Sequence, residues 1–367
     1  MTQKATLPLA EIAKRFDISS TPASVKPLGA GLINDTFKVE TASGSPSYVL
    51  QRINTAIFPD VDLLQGNIEA VTSHIRTRLL SKGVKDIDRR VLRFIPEKES
   101  GKTYFFDGKS HWRMSVFIDD ALTFDAVTPH YAQCAGKAFG EFEAMLCDLA
   151  TPLGETIPDF HNMELRLSQL GSVVKADPLG RAKEDDVREL LETVDANAEE
   201  MTLGQRLLSS GEIPRRICHC DTKVNNMLFD RDGSVLCVVD LDTTMPSFVF
   251  SDFGDFLRTG ACTCPEDEKD LSKVDFDMDI FKAFSKGYIE GTRDFLTGTE
   301  KDNLPYAALL FPFMQAVRFL CDYIGGDTYY KTAYNGHNLV RARCQMRLFQ
   351  KASQKKEQMS GYIDSLK

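Results

Sequence analysis

Long hydrophobic runs are missing: no stretch of about 18 consecutive apolar residues occurs, so the sequence offers no membrane-spanning segment. The opening residues, MTQKATLPLAEIAKRFDI, lack the extended apolar core of a secretory signal and read instead as a short amphipathic helix. A surplus of positive charge is missing too. Lys and Arg number 44 against 53 Asp and Glu, a net charge of −9, which argues against nucleic-acid or anionic-membrane partners. A phosphate-bearing ligand would need a local basic site or a bound cation. Nor is there a complete disulfide framework, because the nine cysteines are odd in number and no export signal precedes them. The expectation is a reduced, cytoplasmic, monomeric protein.

The cysteines include two close pairs, Cys218/Cys220 and Cys262/Cys264. C-x-C is tight for a zinc tetrahedron, whose ligands are usually spaced by two to four residues. Ile217-Cys218 and Leu236-Cys237-Val238 place cysteine inside apolar runs, where it behaves as a small hydrophobe. Apolar content of 43% with 26% charge is that of an ordinary globular chain, and 367 residues suffice for two domains or one large bilobal unit.

Residues 1–118 read as β-rich. VKPLGAGLINDTFKVET and SPSYVLQRIN suggest a hairpin and a third strand, with further strands at VLRFI, KTYFFDG and HWRMSVFID. Between them, Leu64, Ile68, Val71, Ile75 and Leu79 recur at helical spacing and predict one buried helix face. Beyond residue 119 the pattern is mainly helical, interrupted by two short strands. The predicted class is therefore α+β: a small β-rich N-terminal lobe (1–118) and a large helical C-terminal lobe (119–367).

The stretch ICHCDTKVNNMLFD, followed shortly by VVDLDT, concentrates the polar chemistry. NMLFD and SVLCVVD flank the turn sequence Arg231-Asp232-Gly233, so a hairpin centred there pairs positions whose numbers sum to about 465. Asn226 then lies opposite a position near Asp240. Oxygen donors from Asn and Asp suit Mg²⁺, and a carboxylate left free of the metal, Asp221, can accept a hydroxyl proton. Metal for phosphates plus a base for the nucleophile is what phosphoryl transfer requires.

His219-Cys220-Asp221-x4-Asn226, with the later Val239-Asp240, resembles the aminoglycoside phosphotransferase family, small-molecule kinases with a protein-kinase-like fold. The longer words YVLQRINTAIFPD, HCDTKVNN, VVDLDTTMP, DFGDFLR, EDEKDLSKV, RFLCDYIGGDTYY and HNLVRARCQ, spread from about residue 25 to 350, resemble those relatives that phosphorylate the anomeric hydroxyl of N-acetylhexosamines. The resemblance implies a two-lobed fold, ATP and Mg²⁺ as cofactors, and N-acetylglucosamine or N-acetylgalactosamine as acceptor. It implies Asp221 as catalytic base, with Asn226 and Asp240 as metal ligands. Gly29, Gly31 and Asn34 would line the nucleotide phosphates, Phe117 to Asp119 would form the adenine-reading hinge, and Thr243, Arg318 and Tyr329 would meet the sugar.

His219 is expected to support its loop by hydrogen bonding. The literal Asp252-Phe253-Gly254 stands about a dozen residues past the strand end and is expected to stabilise entry into the next helix. On the third strand Gln51 occupies the place where many relatives carry Lys or Arg, and Cys220 the place of an Asn. Two other readings follow from the same residues: a kinase of an aminoglycoside, choline or homoserine, or, from Gln51, a silent nucleotide-binding module. A salt bridge to Asp322 competes with the ligand role of Arg318.

Overall fold

The structure, a computed structural model, describes residues 7–29, 33–42, 44–124 and 127–366. Contacts divide the chain into two compact units. One spans residues 1–123, 148–158 and 227–245, and the other spans 124–147, 159–226 and 246–367.

The first unit is built on an antiparallel five-stranded sheet. Its strands β1 (Pro22–Pro27), β2 (Asp35–Thr41), β3 (Tyr48–Ile53), β4 (Tyr104–Phe106) and β5 (His111–Val116) lie in the order β1-β2-β3-β5-β4. Alternation sorts the side chains by face. Tyr48, Leu50, Trp112 and Met114 point to one side and pack with Val39 and with Ile12, Ala13 and Phe16 of the N-terminal helical segment, the amphipathic helix expected there. Their neighbours Gln51 and Arg113 point to the other side and are directly cross-strand partners. That face meets the helix Val61–Ser81, whose Gln65 Oε1 accepts from Arg113 Nη1 at 3.3 Å. Asp60 caps the helix by accepting from Leu63 N at 2.9 Å, and of the predicted stripe Leu64, Ile68, Val71 and Ile75 are buried while Leu79 is half-buried.

The strand expected at VLRFI is reduced to one isolated bridge, Phe94 to Ser115. On that edge of β5, β4 already occupies His111 to Arg113. Only the last positions remain, and there Ile95 N donates to Met114 O at 2.8 Å and Val116 N to Arg93 O at 2.9 Å.

Also in this unit is the hairpin Met227–Phe229/Val235–Val238. Met227 pairs with Val238 and Leu228 with Cys237, the cross-strand sum predicted from the turn, before a bulge shifts the register at Phe229. Gly233, at φ 83°, closes the turn in the left-handed region that glycine adopts without strain. Reciprocal backbone bonds of 2.9 Å between Leu122 and Phe229 tie the hairpin to the sheet's own chain segment. The grouping of residues 227–245 with the first unit follows from such pairing, which a boundary placed at 118/119 along the chain does not express.

The second unit is helical. The helices Pro129–Leu146 and Met278–Thr292 approach closely because neither carries side chains at their crossing. A Cβ on Gly287 would fall 2.0 Å from the Gln133 carbonyl oxygen, and one on Gly136 would fall 2.2 Å from that of Phe284. The long helix Leu304–Gly325 is apolar enough by length and composition to cross a membrane, but 83% of that span is buried inside the unit, as befits a core helix. Phe253, Phe256, Phe281, Phe284 and Tyr288 interlock between these elements, with Phe256 stacked on Phe284 at 4.0 Å.

Gly287→Ala tests the helix crossing. Backbone cannot yield as a side chain would, so the variant is expected to lose about 3 kcal/mol of stability, the upper end of overpacking costs. Chemical denaturation measures it; an unchanged midpoint would show that the crossing is loose.

Candidate active site

In the second unit, the loop carrying His219 and Asp221 is held by two carboxylates on the helix Phe250–Gly260. Asp252 accepts from the backbone N–H of His219 at 2.8 Å and of Cys220 at 2.7 Å, one oxygen for each. Asp255 accepts from Thr222 N at 3.0 Å, and the Thr222 hydroxyl donates to the Asp252 carbonyl at 2.7 Å. The literal Asp-Phe-Gly is thus no strand-end metal ligand: Asp252 has no solvent exposure and spends both oxygens on the loop backbone. Asp252 lies in the first turn of its helix, the entry expected of it, and its carboxylate steadies the preceding loop as well. Cys220 sits at φ 62°, a left-handed conformation that Asn visits more readily than other side-chain-bearing residues and that costs about 1–2 kcal/mol elsewhere.

Beneath Asp252 lies a second buried carboxyl. Glu143, from Pro129–Leu146, brings a carboxyl oxygen within 4.8 Å of one of Asp252 and accepts from the Tyr288 hydroxyl at 2.7 Å. Burial, and then the charge of Asp252, push the Glu143 carboxyl well above its ordinary 4.5, which favours its protonated form. Cys218 lies within 4.8 Å of both. Burial drives its thiol strongly upward, so it remains a neutral, small core group, as does Cys220.

His219 is fully buried between Phe139 and Phe142, and its Nδ1 accepts from Asp221 N at 3.3 Å, the supporting part expected of it. Asp221 meets two donors. Asn226 Nδ2 reaches its Oδ2 at 3.1 Å and its carbonyl at 2.8 Å. Lys223 Nζ lies 2.7 Å from its Oδ1. Sequence reasoning passed over Lys223, although a cation two residues after the base was there to see. Burial, the largest cause, lowers its pKa, but the charges of Asp221 and Asp255 and the hydrogen bond to Asp221 together leave it raised, hence charged. With Nδ2 committed to Asp221, Asn226 keeps its amide oxygen for a cation.

Asp240 and Thr243 belong to the first unit. Asp240 follows the strand Val235–Val238 and adopts φ 60°, strained for a non-glycine residue and of the kind found at functional positions. Thr243 is buried. Two residues past Asp240, Asp242 receives Arg113 Nη1 at 2.5 Å and Asn34 Nδ2 at 2.7 Å. Arg113 Nε also donates to Gln51 Oε1 at 2.9 Å. The guanidinium thus stands directly across from Gln51, a substitution of place that the sequence does not reveal. The nearby helix carboxylate Glu69 accepts from the Thr103 hydroxyl at 2.5 Å, and Arg52, next to Gln51 on the opposite sheet face, pairs with Asp35.

Asn34 donates its side-chain N–H to Asp242 at 2.7 Å and accepts from Asn54 N at 2.9 Å. Gly29 is left-handed at φ 68°, and Gly31 lies outside the described residues. Phe117 follows β5 with the Lys38 ammonium 4.2 Å over its ring, and the Asp119 carbonyl accepts from Arg89 at 3.4 Å.

Arg318 and Tyr329 are both in the second unit and converge on Tyr330. The Arg318 guanidinium lies 5.3 Å from the Phe160 ring centre and 5.7 Å from that of Tyr330, and Tyr329 packs edge-on to Tyr330 at 4.8 Å. The competing salt bridge does not form, because Asp322 accepts from the N–H groups of Thr328, Tyr329 and Tyr330 and from Asn338 Nδ2, each at 2.9 Å. Among the described residues Arg318 has no carboxylate partner; its one hydrogen bond is to Gln315 Oε1 at 3.3 Å. Burial, then the charges of Arg318 and Arg166, depress His161 well below its ordinary 6.5, so its imidazole is neutral. The basic residues His337 and Arg343 pair with Asp267 and Asp186, while Arg341 donates from Nη1 to the Lys331 carbonyl and keeps a buried Nε without a hydrogen-bond partner.

The Glu143–Asp252 pair makes a pH prediction. A carboxyl raised in the folded state contributes stability fully below about pH 4.5 and loses it as pH rises toward the folded value. Glu143→Gln removes that titration. The melting temperature of the variant minus that of the wild type is therefore expected to climb between pH 5 and pH 8; a difference independent of pH would refute the raised carboxyl.

Solved structures share this fold at low identity. An aminoglycoside phosphotransferase from Alicyclobacillus acidocaldarius aligns over 97% of this chain and 98% of its own, with TM-score 0.63 and 15% identity. A choline kinase from Cryptosporidium parvum aligns over 93% and 92%, with TM-score 0.57 and 15% identity. A spectinomycin phosphotransferase in complex with ADP and spectinomycin aligns over 98% and 100%, with TM-score 0.55 and 16% identity. The fold is α+β and protein-kinase-like. The profile of the phosphotransferase enzyme family matches residues 24–269, a span that holds the clamped loop, Asp221, Asn226 and Asp240, and the chain belongs to that family.

Proposed function

We propose that the protein is an ATP- and Mg²⁺-dependent kinase of the anomeric hydroxyl of N-acetylglucosamine or N-acetylgalactosamine, an N-acetylhexosamine 1-kinase. The carrying observation is Arg318, a guanidinium over two aromatic rings with no carboxylate partner among the described residues. A choline or aminoglycoside acceptor is cationic and calls for carboxylates at that position, whereas a neutral polyol with an amide carbonyl can use fixed donors. The sequence words shared with N-acetylhexosamine kinases support the same acceptor.

Asp221 orients the sugar O1–H and takes its proton as O1 bonds to the γ-phosphorus and the bond to the ADP oxygen breaks. Lys223, beside Asp221, offers positive charge to the phosphoryl group in transit. Asn226 and Asp240 carry the oxygen donors that magnesium takes, and the bound ion would offset phosphate charge. The buried guanidinium Arg113, across from Gln51, supplies the cation that the third strand lacks, which weighs against a silent module.

A panel of N-acetylglucosamine, N-acetylgalactosamine, glucose, choline, kanamycin and homoserine with ATP and Mg²⁺, read by ADP release, tests this. The N-acetylhexosamines are expected to turn over best. Asp221→Ala should lower kcat by about a thousandfold with ATP binding retained. Arg318→Met should raise KM for the sugar by about tenfold or more, the value of a charged hydrogen bond. Preference for choline or kanamycin would overturn the assignment.

A further inference from the structure

Two thiols meet at the rim of a cavity in the second unit, apart from the loop that holds Asp221. Past the helix Phe250–Gly260 the chain runs alongside residues 273–277. Cys262 forms an isolated antiparallel bridge with Phe276, while Asp277 N donates to the Ala261 carbonyl at 2.8 Å and Thr263 N to that of Asp275 at 3.2 Å. Extended backbone turns residues two apart to one face. Thr263, between the cysteines, gives its hydroxyl to the Lys273 carbonyl at 2.8 Å. The sulfurs of Cys262 and Cys264 come to 3.7 Å of each other.

Both cysteines are partly exposed and line a cavity of about 680 Å³. Oxygen donors share that lining: Glu266, Asp277 and Gln345. Gln345 is 1% exposed, and its amide oxygen is buried without a hydrogen-bond partner. An unmet buried acceptor is costly, which favours a ligand that can engage it. Arg258 lines the cavity as well, but its charge is already met by Asp255 at 3.2 Å and by Glu266 at 2.6 Å.

We propose that Cys262 and Cys264 are paired thiolate ligands for a divalent cation of the zinc class, with the Gln345 amide oxygen as a further donor to the ion or to its water. Two sulfurs each about 2.3 Å from a tetrahedral zinc stand about 3.8 Å apart. The two thiols therefore already have the separation of one tetrahedral edge. A linear two-sulfur ion with bonds of that length would need about 4.6 Å. The C-x-C spacing, tight for a zinc tetrahedron when read along the sequence, is met here by extended backbone. As each sulfur bonds to the ion its thiol proton passes to solvent, so two protons leave per ion bound and no electrons are transferred.

The test uses the reduced, metal-depleted full chain with zinc or cadmium alone, and needs no kinase assay. Zinc titrated by calorimetry in buffers of different ionisation enthalpy should bind with release of protons. Cadmium, a spectroscopic stand-in, should raise a sulfur-to-metal charge-transfer band that is lost in Cys262→Ser and in Cys264→Ser. In the wild-type chain zinc should slow alkylation of Cys262 and Cys264 together by about tenfold or more, while Cys147, an exposed cysteine away from the cavity, reacts as before. Gln345→Met, of similar volume, should weaken zinc binding by about tenfold. Absence of the cadmium band, alkylation of the pair unaffected by zinc, or unchanged zinc affinity in Gln345→Met would overturn the proposal. The first two are read on the wild-type chain, so they hold whether or not a variant folds.

Discussion

A carboxylate without solvent exposure, Asp252, holds the polypeptide on which the chemistry depends. Each of its oxygens takes one N–H from the His219–Cys220 segment, so the anion is met by fixed donors rather than by water. Charge-assisted bonds of this kind contribute about 1.5–3 kcal/mol each, enough to offset the strain of a left-handed Cys220. Burying the charge would still be costly. Glu143 eases that cost, because burial and the neighbouring charge raise its pKa and favour a neutral carboxyl beside Asp252.

That arrangement rests on packing some distance below it. Glu143 and Tyr288 face each other only because glycines let their helices touch backbone to backbone. The interlocked rings of Phe253, Phe256, Phe281 and Phe284 stiffen the helix that presents Asp252 and Asp255. At the far side of that helix Arg258 bonds both Asp255 and Glu266 while lining the thiol cavity. The cavity therefore shares an ion-pair network with the carboxylate that receives Thr222 N, next in chain to Asp221.

The first unit solves a separate electrostatic problem. A neutral Gln51 on β3 would leave that sheet face without a cation, yet the antiparallel register sets Arg113 directly beside it on β5. Arg113 is 2% exposed, so its charge needs a partner, and Asp242 provides it with Asn34 as a further donor to the same carboxylate. A buried ion pair of this kind fixes geometry more than it adds stability. It sets the backbone just after Asp240, the residue proposed to hold the metal.

Local pattern in the sequence determined the hairpin's register, the buried face of the helix Val61–Ser81, the family and the loop bearing Asp221, because each is written in neighbouring residues: a turn with glycine, apolar positions at helical spacing, a motif of fixed length. Tertiary structure alone decided what those residues rest on. Asp252 serving His219 and Arg113 standing in beside Gln51 are contacts between segments distant along the chain. Buried polar groups obey no periodicity; in a sequence they look like any surface aspartate or arginine, and only the fold shows which donor each one meets.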